Sequence, residues 1–301
     1  MQKTIFIINP CAGGFDHSQD IISQLHAEGI QADTYITRAE KDATAYVNNY
    51  CNSHPGETVR FVACGGDGTL NEVATGAIGH SGAQVGCFPC GSGNDYVKYW
   101  PQAKFHDLKA IVNAPTVPVD IMQVNGSRYA INAVHVGFEA TVCENLYKVR
   151  RKPLIGGPMS YSSAIAMSLV GGRRTLCTIT IDGQTWHQGD LLLASLANGR
   201  FIGGGYKCAP RSQNDDGLLE VSYMLPLSLL RFARSIGYYR KGEHLDAPQL
   251  SDVVRYRRAD KVIIDTPQPI PLGIDGEVMQ GSHFEIQNLH RVLPFAVPTE
   301  G

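Results

Sequence analysis

Gly65-Gly66-Asp67-Gly68-Thr69 sets one carboxylate among glycines, directly after the apolar run Val59–Cys64 and before a helical pattern over Leu70–Ile78. Glycines let bare backbone approach a ligand, and the N–H groups that open a helix point at whatever sits there, so the turn suits an anion. Asp67 by itself would repel a phosphate, unless a divalent cation lies between them. A Mg-nucleotide is the ligand this combination points to. Thr69-Leu70-Asn71-Glu72 also reads as a capping box for the helix start. Asn9-Pro10-Cys11-Ala12-Gly13-Gly14 and Gly91-Ser92-Gly93-Asn94-Asp95 are two more glycine turns placed after strands. Each in isolation is ordinary loop chemistry; the three together supply amide-rich turns to one sheet edge. There is no G-x-x-x-x-G-K-[ST] and no G-x-G-x-x-G after the first strand, which excludes a P-loop ATPase and argues against a Rossmann dehydrogenase. Without a P-loop lysine, backbone amides and Mg²⁺ must neutralise a triphosphate.

The second half offers Asp275-Gly276-Glu277 at the end of a β run. A carboxylate there can take the proton of an acceptor hydroxyl while a phosphoryl group moves, although Asp-Gly is equally a hairpin turn. Gln213-Asn214-Asp215-Asp216-Gly217-Leu218 can bind a hard cation or stand as a solvated acidic turn. Cys87-Phe88-Pro89-Cys90 has redox or zinc spacing, but no second pair completes a zinc set. The other cysteines lie in apolar runs (Cys64, Cys143, Cys177), as buried small hydrophobes would, and structural thiols fit a reducing compartment.

These residues need elements to hold them. Over the first hundred residues, β runs at Thr4–Ile8, Ala32–Ile36, Val59–Cys64 and Val85–Phe88 alternate with helical patterns at Ser18–His26, Asp42–Tyr50 and Leu70–Ile78, with a helix start at Asn94–Tyr99. Continuous apolar strands between helices mean a parallel sheet covered on both faces, whose ligands gather at the carboxyl ends of the strands. The pattern changes near Ala114–Pro118. Beyond it, Asn125-Gly126 and Asp182-Gly183 separate β runs, and further runs at Leu218–Met224, Lys261–Asp265, Leu272–Ile274 and His283–Ile286 predict an antiparallel sandwich. Helical stretches at Ser160–Val170 and Leu227–Tyr239 interrupt it.

The chain has 301 residues, 43% of them apolar, which predicts two domains: residues 1–118 and 119–290, with 291–301 open to packing back on the first. Net charge is −2, from 26 Lys+Arg and 28 Asp+Glu, so no global field draws it to nucleic acid or to an anionic membrane. The first apolar stretch is too short for a signal peptide or a membrane span, so a cytoplasmic protein is expected. Two local segments are basic and apolar: Arg150–Lys152 with Gly171–Arg174 around an apolar helix, and Leu229–Arg234 with Tyr238–Lys241. Either can rest on a membrane surface or be a core helix with a solvated basic edge.

The ordered set Asn9-Pro-x-x-Gly-Gly14, Gly65–Val73, Gly91–Asp95, Asp216-Gly-Leu-Leu219 and Asp275-Gly-Glu277 resembles the diacylglycerol kinase catalytic-domain family, and in particular its soluble bacterial lipid kinases. The resemblance covers nearly the whole chain. It implies a phosphofructokinase- and NAD kinase-like α/β nucleotide domain, a β-sandwich substrate domain, and a site in the cleft between them. ATP would contact Asn9, Pro10, Gly13, Gly14, Thr37, Gly65, Gly66, Asp67, Gly68, Thr69, Asn71, Glu72, Ser92 and Asn94. Asp67 and Asp95 would hold its Mg²⁺. Gln213, Asp216 and Leu218 would hold a second, structural Mg²⁺, and Asp275 or Glu277 would be the base. The third turn departs from the usual Gly-Thr-x-Asn-Asp, with Ser92 keeping the hydroxyl. The implied activity is phosphorylation of diacylglycerol or a related lipid at a membrane surface, without nucleic acid. A kinase of the same fold acting on NAD or a sugar phosphate, a non-catalytic nucleotide or lipid sensor, and a homodimer stay open.

Overall fold

Lys3–Ile8 (β1), Asp33–Ile36 (β2), Val59–Gly65 (β3) and Ala83–Pro89 (β4) pair in parallel in the order β4-β3-β1-β2. Every residue of β3 is buried, as are all but the first of β1, because helices cover both faces. Ser18–Ala27 (α1), Asp42–Ser53 (α2) and Asp67–Ala77 (α3) turn apolar stripes inward, Ile21 and Leu25 on the first, Leu70, Val73 and Ala74 on the third. A short helix that the sequence pattern does not show, Leu108–Asn113 (α4), is fixed by buried Arg60. The guanidinium donates to the carbonyls of Ile111, Val112 and Ala114 at 2.7–2.8 Å, satisfying the end of the helix. The computed structural model describes residues 2–150, 164–165, 167–169 and 174–299.

The capping box expected at Thr69–Glu72 does not form. α3 starts earlier, at Asp67, with Gly66 as its cap and no side-chain cap bond. Glu72 instead turns to α2, where its Oε2 accepts from Ala43 N at 3.2 Å. It serves the N-terminus of that helix rather than its own.

The chain divides into two units, Met1–Ile121 with His290–Gly301, and Met122–Leu289. It passes from one to the other within the strands Thr116–Val124 (β5) and Glu277–Ala296 (β14). In the first unit, the end of β14 joins the sheet in parallel through Phe295 and Val85. Buried Asp120 accepts from Arg291 N at 2.7 Å and contacts His290 Nδ1 at 3.1 Å, fixing the returning segment.

The second unit adds Arg128–Ala130 (β6), Ala133–Gly137 (β7), Thr175–Ile181 (β8), Gln184–Leu191 (β9), Leu193–Ala197 (β10), Leu219–Met224 (β11), Val254–Ala259 (β12) and Lys261–Ile274 (β13). Antiparallel pairing runs β12-β11-β10-β7-β13-β14, with β8 on β13 and β9 on β8, and with β5 on β14 and β6 on β5. Alternation splits the core: Val134 and Val136 of β7 face a cluster with Ile179, Val221, Val262 and Phe284. Ala133 faces a second cluster with Phe138 of the helix Phe138–Arg150 (α5) and Phe232 of Leu229–Lys241 (α6). Asn125-Gly126, Asp182-Gly183 and Asp275-Gly276 all have positive φ at both residues, the backbone of tight hairpin turns. Of the helix expected over 160–170, residues 164–165 and 167–169 are helical and the others lie outside the described residues, as do Arg151, Lys152 and 171–173 of the basic segment around it.

Candidate functional site

In the first unit the three glycine turns are locked to one another through bare backbone. A Cβ on Gly13 would lie 2.4 Å from the Cys90 carbonyl oxygen, and one on Gly91 would lie 2.3 Å from the Gly66 Cα. Cys90 N donates to Gly65 O at 2.8 Å. Asn9 ties the first turn to the second: its Oδ1 accepts from Cys11 N and its Nδ2 donates to Thr69 Oγ1, both at 2.9 Å. Asn94, in the left-handed region at φ 50°, closes the third turn on itself through Gly91 N and Gly91 O. Only glycine permits these approaches.

The carboxylates meet at this junction. Asp67 Oδ1 accepts from Asp95 N at 2.7 Å and Tyr96 N at 3.0 Å, which orients the side chain and leaves Oδ2 for other work. A Cβ on Gly93 would stand 3.0 Å from Asp67 Oδ2 and 3.3 Å from Asp95 Oδ2, so the two oxygens converge beside a residue with no side chain. Burial, then the neighbouring Asp95 charge, push the Asp67 carboxyl up to about 6. Lys98 Nζ, 2.6 Å from Asp95 Oδ1, offsets part of this charge. Two buried, converging carboxylate oxygens are the donor set a hard divalent cation takes, and a cation would relieve the strain on Asp67's ionised form. The residues fit Mg²⁺.

The first intrahelical bond of α3 runs from Leu70 N to Gly66 O, so the amides of Asp67, Gly68 and Thr69 open the helix without an intrahelical partner. A Cβ at Gly68 would meet nothing within 4 Å, so that face is open for a ligand. Gly14 is open in the same way. Thr37, buried, donates its N–H to Ile8 O at the end of β1, and Ser92 is exposed at the tip of the third turn. Pro10 lies in the first turn, and Asn71 and Glu72 on the first turns of α3.

In the second unit Asp275 and Glu277 have different surroundings. Asp275, buried in the turn between β13 and β14, accepts from Ile131 N, Asn132 N and Ala133 N at 2.6–3.2 Å. It holds the turn between β6 and β7. Glu277 is more open, its side chain 39% exposed, and pairs with Arg128. Sequence reasoning missed Arg128, since nothing local signals a partner so distant in the chain.

The loop expected to hold a second cation brings Asp216 against Arg258. Asp216 Oδ1 accepts from Leu218 N at 3.0 Å. Gln213 is exposed. No cluster of three His, Cys, Asp or Glu with metal-site geometry occurs among the described residues. Cys87 is buried with its thiol raised well above the usual range, and Cys90 is pushed up to about 11, in both through burial first. These are inert thiols.

Also absent from the sequence pattern is a small apolar pocket of about 40 Å³ in the second unit, walled by Phe138, Val142, Leu193, Phe232 and Ile236, with Glu139 and Tyr239 among its lining. Glu139 is buried, 2.9 Å from His135 Nδ1, and accepts from Ser195 Oγ at 2.6 Å and from Tyr239 OH. Burial pushes this carboxyl up, but the His135 charge and these hydrogen bonds outweigh it and hold it below the ordinary range. The cluster draws on β7, α5, β10 and α6, so no spacing in the sequence announces it.

Comparison with known proteins agrees in both units. Residues 3–124 match the diacylglycerol kinase catalytic domain, and residues 132–298 match the YegS C-terminal NAD kinase beta sandwich-like domain. A probable lipid kinase YegS-like of Enterobacter sp. (strain 638) is 28% identical over 99% of this chain and 97% of its own. The diacylglycerol kinase of Bacillus subtilis (strain 168) is 28% identical over 100% of this chain and 98% of its own. A crystal structure of a diacylglycerol kinase from Bacillus anthracis str. Sterne superposes with a TM-score of 0.69 at 18% identity, covering 98% of this chain and 97% of that one. With the glycine turns and the β-sandwich, these matches place the sequence: the chain belongs to the diacylglycerol kinase catalytic-domain family, in its YegS-like form, a family of phosphotransferases.

Proposed function

We propose that the protein transfers the γ-phosphoryl group of Mg·ATP to a hydroxyl of diacylglycerol or a related lipid. The observation that carries this reading is the convergence of Asp67 Oδ2 and Asp95 Oδ2 beside Gly93, inside turns whose amides suit phosphate. Family membership supports ATP as the donor, and the relatives' printed descriptions support a lipid as the acceptor. The small pocket lined by α5 and α6 is apolar, which suits the hydrocarbon of a lipid better than a nucleotide or sugar acceptor.

Asp67 and Asp95 would hold Mg²⁺, which supplies charge neutralisation to the phosphates. The amides of Asp67, Gly68 and Thr69 orient phosphate oxygens at the positive end of α3. Asn9, through Thr69, keeps the first turn in register with that helix end. Glu277 is assigned as proton acceptor, because it is open to solvent, whereas the oxygens of Asp275 already accept three amides. Arg128 orients the Glu277 carboxylate. Asp275 is then a positioning residue. Contact with lipid makes the protein a peripheral visitor to a membrane; no helix among the described residues is long and apolar enough to cross one.

The test is label transfer from [γ-³²P]ATP to mixed micelles of diacylglycerol, phosphatidylglycerol, ceramide or sphingosine, with NAD as a soluble acceptor in parallel. The reading expects label in one lipid and none in NAD. Label in NAD alone would overturn the lipid assignment and leave the fold untouched.

A further inference from the structure

α6 opens on Leu229 and Leu230, 54% and 63% exposed. Both ends of the helix are capped: Ser228 Oγ caps the first turn by accepting from Arg231 N at 3.3 Å, and Gly242, at φ 77°, terminates the last. At helical spacing from the leucines, the same outward side carries Ala233, Arg234, Gly237, Arg240 and Lys241, all exposed. The opposite side carries Phe232, Ile236 and Tyr239 into the apolar pocket. Arg231 is committed to Asp252 and the Arg240 guanidinium lies 5.9 Å from the Tyr206 ring centroid, while among the described residues Arg234, Arg240 and Lys241 form no ion pair. Glu243, exposed just past the helix, is the acid nearest to them along the chain. The outward face thus pairs protruding aliphatic groups with uncompensated positive charge on an otherwise near-neutral molecule.

We propose that α6 docks the protein on an anionic phospholipid bilayer, with Leu229 and Leu230 inserted among the acyl chains and Arg234, Arg240 and Lys241 on the headgroups. Charge complementarity selects this occupant. A second copy of the chain is a poorer fit, since two leucines bury far less than the roughly 1,200 Å² a stable interface needs, and two basic stripes would face each other. The purpose of the contact rests on the lipid-acceptor reading, because the helix that touches the bilayer is then the helix that walls the acceptor's pocket.

Sedimentation with phosphatidylcholine vesicles, with and without phosphatidylglycerol and at low and high salt, tests the proposal. Wild type should bind the anionic vesicles at low salt and release at high salt. Leu229→Asp with Leu230→Asp should weaken binding by about tenfold or more. Arg234→Glu with Arg240→Glu should weaken it by about tenfold and flatten the salt dependence. Melting curves and phosphorylation of a short-chain diacylglycerol dispersed as monomers should stay at wild-type values in the leucine pair, which lies outside the pocket lining. Failure of wild type to bind anionic vesicles, or equal binding by both variants, would overturn the docking assignment. So would a leucine pair whose only effect is to turn a dimer into monomers. Vesicle binding without label in any lipid would support docking and sink the kinase reading, so the two fail separately.

Discussion

Asp67 carries an opposition between stability and function that can be measured. Burial, with the Asp95 charge beside it, raises its carboxyl from 3.8 to about 6, so the folded protein without metal resists ionising it. Below pH about 4 the group is protonated in both folded and unfolded chains and has no effect. Between about 4 and 6 the folded state binds more protons than the unfolded one, so stability falls as pH rises, and above 6 the whole penalty is present. Asp67→Asn should therefore raise stability without metal at pH 7 by an amount on the order of 2–3 kcal/mol, with the gain fading towards pH 4. Urea unfolding across pH checks this; a gain that grows as pH falls would refute the assignment. Glu277 and Asp275 separate in the same manner. Glu277→Gln should lower kcat by about a hundredfold or more with a near-unchanged melting point. Asp275→Asn turns an acceptor facing three amides into a group that is half donor, and should cost about 2–3 kcal/mol of stability. Thermal melts beside steady-state rates distinguish the two roles, and the reverse pattern would exchange them.

At the scale of elements, the opening of α3 joins local sequence to chemistry. Gly68 lies in the first turn with nothing within 4 Å of where a Cβ would stand. Gly68→Ala should leave the fold as stable or add up to about 1 kcal/mol of helix propensity, while the new methyl pushes phosphate away and weakens ATP binding about tenfold. Calorimetric titration with Mg·ATP beside a melt reads both; unchanged affinity would move the nucleotide off this turn. That turn was legible because the physics is local: an apolar strand buried on both faces, a glycine run and a helix follow one another directly. The hairpins at Asn125-Gly126 and Asp182-Gly183 were legible for the same reason. β13 was legible only at its two ends, Lys261–Asp265 and Leu272–Ile274, because Pro267, Pro269 and Pro271 break the pattern between them, and its ladder with β14 tolerates them by shifting register between Asp265 and Ile270. β12, Val254-Arg-Tyr-Arg-Arg-Ala259, hides because a half-exposed strand rich in arginine has no apolar run. The Thr69–Glu72 capping box misled, since tertiary contact with α2 claimed Glu72.

Across the whole molecule, work divides between the units: glycine turns and paired carboxylates in the first, Glu277 with Arg128 and an apolar pocket in the second. What the sequence hides at this scale is contact between distant residues. Arg258 meets Asp216 from far along the chain, and His135, Glu139, Ser195 and Tyr239 assemble from four elements. The central claim is that Asp67 and Asp95 form the metal–nucleotide site of a lipid phosphotransferase. Its most direct test is one time course of ³²P transfer from Mg·[γ-³²P]ATP to diacylglycerol micelles, comparing wild type with Asp67→Asn after both are shown to be folded. The account predicts transfer by wild type that depends on Mg²⁺, and a loss of about a thousandfold or more in the variant. Transfer by folded Asp67→Asn at the wild-type rate would contradict it.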